Sequence, residues 1–259
     1  MECRVSAFSR VGGREHNEDA CGYVEKDGIV CCVLADGAGG HQGGEVASRV
    51  AVQSVLDDFL TGPEVSAAAL SRIMDNANRA VLRRQEDLPE LADMRSTLVV
   101  LLFDPARSSA VWGHVGDSRL YLFRGGAFHL RTRDHSLVQS MVDSGMLSQS
   151  EAARHPDANV LFASIGLQDA FMPTVLDAPY ALCVGDAFLL CSDGVWSAVA
   201  EDGFQQCLHS ASDSDAWLRC IEQKVSAGVA AGSDNYSAVG IWYGDAGDFM
   251  HTIPLAGKA

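Results

Sequence analysis

The chain has 259 residues, 47% of them hydrophobic, and a formal net charge of −15. That length suits one large domain or two small ones with a substantial core. The acidic surplus argues against a general nucleic-acid binder and against docking on an anionic membrane, since both rest on lysine and arginine.

The N-terminus, "MECRVSAFSR", carries no apolar stretch long enough for a signal peptide. The longest apolar runs, "IVCCVLA" and "LVVLLF", have the length of core strands and are too short to span a bilayer. Eight cysteines occur without a CxxC pair, so they read as reduced, mostly buried thiols of a cytoplasmic protein. Cys31 and Cys32 are neighbours in a strand-like run and should point to opposite faces.

Alternating residues predict two strands over about 20–35, joined at Lys26-Asp27-Gly28. Helical periodicity follows from about Gly43 to Leu60 and from about Ser66 to Arg84. Strand-like runs come next at "STLVVLLFD" (96–104), "SSAVWGHVG" (108–116) and "SRLYLFRGG" (118–126), with a shorter one at "AFHLRT" (127–132). A polar, partly helical stretch covers Asp134 to Gly166. Strands resume at "AFLLCSD" (187–193), two helices follow, and "YSAVGIWYG" (236–244) is a late strand. Antiparallel sheets covered by helix pairs suit this order, in one domain across 1–259.

Acidic residues recur where these strands begin or end. Asn17-Glu18-Asp19 precedes the first, Asp36-Gly37 ends the second, and Asp117 separates two more. Asp193-Gly194 ends another apolar run, and Asp234-Asn235 precedes the last strand. Any one of these is most simply a turn or a cap. Corresponding ends of neighbouring strands lie close, however, so their loops can share a cleft. Clustered carboxylates need cations, and oxygen ligands without histidine or cysteine select magnesium, manganese or calcium. A pair of ions bridged by one carboxylate would lower the pKa of a water between them, which suits in-line attack on a phosphoryl group. Gly37 would then offer its carbonyl where a side chain would obstruct.

Six stretches occur in one order: "REHNEDA" (14–20), "ADGAGGHQGGEVAS" (35–48), "HVGDSRLYLFR" (114–124), "RDHSLVQSMVDSG" (133–145), "LLCSDGVW" (189–196) and "SDNYSAV" (233–239). Together they resemble the bacterial branch of the metal-dependent serine/threonine protein phosphatases, the 2C-like or PPM family, from about Ser6 to Tyr243. The resemblance implies an α+β fold, an αββα four-layer sandwich of two antiparallel β-sheets flanked by helix pairs. It implies that Asp36 bridges two core ions, Mn²⁺ or Mg²⁺, and that the Gly37 carbonyl binds one of them. Asp193 and Asp234 would complete the second site, with Glu18 and Asp19 in the hydration shell around the ions. Asp117 would help hold a third, weaker ion, and Arg14 would grip the substrate phosphate through its bidentate fork. Arg14, Asp36, Asp193 and Asp234 form the expected catalytic set, and a flap spans about 136–166.

The implied activity is hydrolysis of phosphoserine and phosphothreonine on proteins by water, without a covalent phosphoenzyme, reversing a bacterial serine/threonine kinase. A cytoplasmic monomer with no nucleic-acid or membrane partner is expected. Ala38 stands where eukaryotic relatives place a histidine and bacterial ones a methionine, which leaves the leaving-group acid to a metal-bound water. His41 reads as a surface residue. Arg95-Ser96 replaces the family's usual glycine-threonine pair, and "LFASIG" (161–166) lacks the arginine often found before its glycine. Both departures flank the cleft or flap of relatives and point to substrate choice. The competing readings are a metal-free phosphoprotein-binding module, a phosphatase of small metabolites, and a cysteine-nucleophile phosphatase. The last lacks a phosphate-binding loop, because Cys191 falls within an apolar strand.

Overall fold

A computed structural model describes residues 3–39, 43–152 and 154–244; His41 lies outside them. The chain opens with a strand that the sequence pattern hides, β1 (Cys3–Arg10). It is a half-exposed edge strand with two arginines, and it earns its place by pairing antiparallel with β12 (Tyr236–Tyr243) at the far end of the chain. The expected hairpin follows as β2 (Asp19–Lys26) and β3 (Ile29–Ala38). Asp27 and Gly28 both have positive φ, 54° and 76°, the primed-turn conformation that matches the twist of a two-residue hairpin.

Next come α1 (Gly43–Thr61) and α2 (Ala67–Asp87), the latter capped by Ser66, whose hydroxyl accepts from the Ala69 amide at 3.1 Å. The two-residue β4 (Arg95–Ser96) leads into β5 (Leu98–Asp104), β6 (Ser109–Val115), β7 (Arg119–Arg124) and β8 (Ala127–Arg131). The polar stretch holds the short helices α3 (Leu137–Asp143) and α4 (Gln149–Ala152). One isolated bridge closes it on itself, Ser136 with Leu161, and another ties its far end to β4, Ile165 with Ser96. Short β9 (Thr174–Val175) and β10 (Tyr180–Ala181) precede β11 (Asp186–Cys191), the single turn α5 (Asp193–Trp196), α6 (Glu201–Ser210) and α7 (Ser214–Ser226).

Two antiparallel sheets result. One runs β1-β12-β11-β7-β8; the other runs β10-β6-β5-β3-β2, with β4 added to β3 and β9 to β6. Residue alternation stacks them. On β3, Cys31, Val33 and Ala35 pack under α1 and α2, while Val30, Cys32 and Leu34 enter the layer between the sheets. The two neighbouring cysteines therefore face opposite ways, as the period of two requires. β11 and β12 repeat the pattern: Leu189 and Ala238 pack with the α6–α7 side, Leu190 and Val239 with the opposite sheet. Strands buried on both faces read as unbroken apolar runs. The order of layers is helices, sheet, sheet, helices, which is the αββα arrangement.

One expectation fails. The cysteines are not all reduced: Cys207 on α6 and Cys220 on α7 form a disulfide, with Cα atoms 5.6 Å apart. The two helices pack as neighbours on one sheet, a proximity that a spacing of 13 residues does not announce. Among the described residues no helix is long and apolar enough to cross a membrane.

Candidate metal and phosphate site

At one end of the sandwich β3 and β11 finish, β6 turns into β7, and β2 and β12 begin. The backbone there is committed before the carboxylates are. The Asp36 amide donates to Thr97 Oγ1 at 2.9 Å, and its carbonyl accepts from the Thr97 amide at 2.8 Å and Ser96 Oγ at 2.9 Å. Gly37 donates its N–H to the Glu18 carbonyl at 3.1 Å. A Cβ on Gly37 would lie 2.0 Å from the Gly44 carbonyl oxygen, so this position accepts no side chain.

Asn235 brackets the loops on the other side. Its Oδ1 accepts from the Glu18 amide at 2.8 Å, and its Nδ2 donates to the carbonyls of Val11 (2.7 Å) and His16 (2.9 Å). Gly13 donates to the Ser233 carbonyl, and Gly232 donates back to that of Gly13. These bonds set Arg14 beside Asp234, with Nη2 3.0 Å from Oδ2. Asp117 follows Gly116, whose φ is +96°. Its carbonyl accepts from Trp196 Nε1 at 2.9 Å, and Arg119 lies 3.6 Å over that indole. Asp134 holds Arg119 in place with bonds of 2.8 and 2.6 Å.

A cleft of about 370 Å³ opens at this end. Glu18, Asp36, Asp117, Asp193 and Asp234 line it, together with Arg14 and the Gly37 backbone. Asp19 is brought close but stands behind the lining: it pairs with Asp36 across β2 and β3 and accepts from Ser192 Oγ at 2.7 Å. Sequence reasoning missed Thr97, Ser192, Asn235 and the Arg119–Trp196 stack as supports, because each acts through a partner remote in the chain. It also left out Asn159 and Ser164, which line the cleft from the stretch after α4.

Burial without counter-charge pushes these acids towards their neutral forms. Burial, followed by repulsion from Asp19 and Asp193, holds Asp36 well above the carboxylate range. Burial likewise raises Asp19 and Asp117 to about 7 and Asp193 to about 6, and it raises Glu18. Asp19 Oδ1 and Asp193 Oδ1 are buried with no hydrogen-bond partner. Orphaned carboxylate oxygens are costly, and a divalent cation would satisfy them. Asp234 is held by Arg14 at the mouth of the cleft. The donor set is all hard oxygen, which fits magnesium or manganese and not zinc. Cys191 is fully buried in the core, and burial pushes its thiol far up.

The family model for protein phosphatase 2C matches residues 9–226. The serine/threonine phosphatase Stp of Listeria monocytogenes is 34% identical over 204 residues, 76% of this chain and 79% of that protein. The crystal structure of the serine/threonine phosphatase PstP/Ppp of Mycobacterium tuberculosis superposes with a TM-score of 0.81 at 30% identity, covering 93% of this chain and 99% of that one. The catalytic domain of PstP in complex with two manganese ions superposes with a TM-score of 0.80 at 29% identity, covering 94% and 99%.

Proposed function

Because this chain belongs to the protein phosphatase 2C family, we propose that its acid-lined cleft divides hydrolysis of a phosphate ester among the carboxylates and Arg14. The enzyme is a serine/threonine protein phosphatase that depends on metal ions, and its substrates are phosphoproteins. In our reading Asp36 would serve both core ions, the Gly37 carbonyl would serve one of them, and Asp193 and Asp234 would serve the other. Bound manganese or magnesium supplies the charge that stabilises a phosphoryl transition state and lowers the pKa of the attacking water. Glu18 and Asp19 would hold the hydration around the ions, and Asp117 would help hold a third, weaker ion.

Arg14 is half exposed at the mouth and already rests on a carboxylate. A substrate phosphate offers the same planar fork a stronger acceptor pair. Exchange of that partner would release Asp234 for its ion, so anion and cation binding favour each other at this pair. Attack falls to water, because Cys191, two residues before Asp193, is inside the core. The segment 136–166, closed on itself by the Ser136–Leu161 bridge and tied to β4 at Ile165, is the flap over the cleft.

One observation carries this reading: acids from five separate segments and Arg14 line one cleft, and Asp193 Oδ1 in its lining and Asp19 Oδ1 behind it are buried without partners. Each substrate is the product of a serine/threonine kinase, so the enzyme opposes one. Such kinases consume ATP, which supports an encounter in the cytoplasm. One chain supplies every group named, which supports a monomer. The test is hydrolysis of a phosphothreonine peptide against manganese concentration. Activity should vanish in chelator, and Asp36→Asn should lose orders of magnitude in kcat. Full activity of Asp36→Asn in chelator would sink the two-ion reading.

A further inference from the structure

The cleft contains a second cation that this reaction does not use. Arg95 lines it, is exposed, and has no ion-pair or hydrogen-bond partner for its side chain among the described residues. The backbone decides where that side chain starts. On β4 Arg95 stands directly opposite Ala38, two residues beyond Asp36 on β3. Opposed residues of an antiparallel pair share a face, and so do residues i and i+2. Arg95 therefore rises from the same face as the Asp36 carboxylate, one dipeptide step or about 7 Å further out. Ala38, with a single methyl, leaves the ground between them open.

A second donor waits on the same wall. Ser96 and Ile165 exchange backbone bonds of 2.8 and 3.2 Å, seating the chain around residue 165 beside β4. Ser164 there lines the cleft. It is 5% exposed, and its Oγ is buried without a hydrogen-bond partner. An unpaired guanidinium and an unpaired hydroxyl on one wall both call for an oxygen acceptor. Arg14 stands on the acid wall against Asp234 and is engaged with the reacting phosphate in our reading, so Arg95 is left for a neighbouring group.

We propose that Arg95 and the Ser164 hydroxyl form an anion subsite for the residue flanking the phosphorylated one. The substrates so selected carry a carboxylate or a second phosphate beside the scissile phosphoserine or phosphothreonine. This rests on the phosphoprotein phosphatase reading of the same cleft. The field of the whole molecule cannot produce such a preference, because a net charge of −15 repels acidic peptides. A local cation is required.

The test measures kcat/KM of the manganese-loaded enzyme on phosphothreonine peptides that differ only in the flanking residues, which are alanine, aspartate, phosphoserine or lysine. The wild type should favour aspartate and phosphoserine over lysine by about tenfold, the scale of one exposed charge-assisted contact. A larger factor for phosphoserine than for aspartate identifies a second phosphate as the better ligand; the reverse identifies a carboxylate. Arg95→Gly should flatten the series, Arg95→Glu should invert it, and Ser164→Ala should narrow it. If the peptides are all cleaved at one rate and no variant changes their order, the subsite is refuted while the phosphatase reading stands. If Arg95→Gly raises KM equally for every peptide and for a small aryl phosphate, Arg95 holds the reacting phosphate and the proposal falls. If aryl phosphate is cleaved but no peptide is, the phosphoprotein reading itself fails. Should Arg95→Glu not fold, the glycine variant decides alone.

Discussion

Arg14 and Asp117 occupy opposite sides of one chemical task, and single substitutions should separate them. Arg14 is half exposed, so its phosphate contact belongs at the low end of the range for charge-assisted bonds, about 1.5 kcal/mol. Arg14→Ala should therefore raise KM roughly tenfold with a smaller change in kcat. Asp117 is buried, and its backbone is fixed by the Trp196 indole. If it serves a third ion, Asp117→Asn should lower kcat and raise the manganese requirement. Normal kcat at limiting metal would show that it is only a turn residue. Of the neighbouring residues, Gly37 was legible because aspartate followed by glycine at the end of an apolar run leaves few explanations. Asn235 was visible as part of "SDN", but its role as the bracket between the Val11–Glu18 loop and β12 was not.

At the scale of elements, the long apolar runs declared themselves and the edge strand did not. β3, β5, β11 and β12 are buried on both faces, and nothing but a core strand explains such runs. β1 reads as polar because one of its faces is wet and its partner is at the other end of the chain. The pair α6 and α7 shows a different limit. Their helical periods are plain in the sequence, yet the Cys207–Cys220 bond depends on how the helices meet. Closing a loop of this length contributes about 3 kcal/mol. Reduction, or Cys220→Ser, should lower the melting temperature and leave kcat unchanged, since the bond lies in the helix layer and not at the cleft. Alkylation of both thiols in the native protein without reductant would overturn the bond.

For the whole molecule, the cleft acids couple stability to pH and to metal. Unfolded aspartates titrate near 3.9, about the usual value, whereas Asp193 is raised to about 6 and Asp19 and Asp117 to about 7 in the fold. Between those values the native state holds more protons than the unfolded chain. The stability of the metal-free protein should then fall as pH rises from about 4 to 7. Divalent ions bind the ionised acids and replace those protons, so the rise in melting temperature with saturating manganese should grow across the same window. Thermal scans with and without manganese at pH 5 and 8 measure both effects. An equal manganese shift at the two pH values, or an equal shift in Asp36→Asn, would place the ions elsewhere.

The sequence alone determined the hairpin, the core strands, the helix pairs, and the acids at strand ends, because hydrophobic period and turn chemistry are local. Through six ordered motifs it also determined the family. Only the tertiary structure decided that acids from distant loops share one cleft with Arg14, and that Asp19 stands behind it. The same holds for the disulfide between Cys207 and Cys220 and for the unpaired Arg95 and Ser164 in the same cleft. Those relations depend on strand register and on the return path of the chain. No local period encodes which loop ends up beside which.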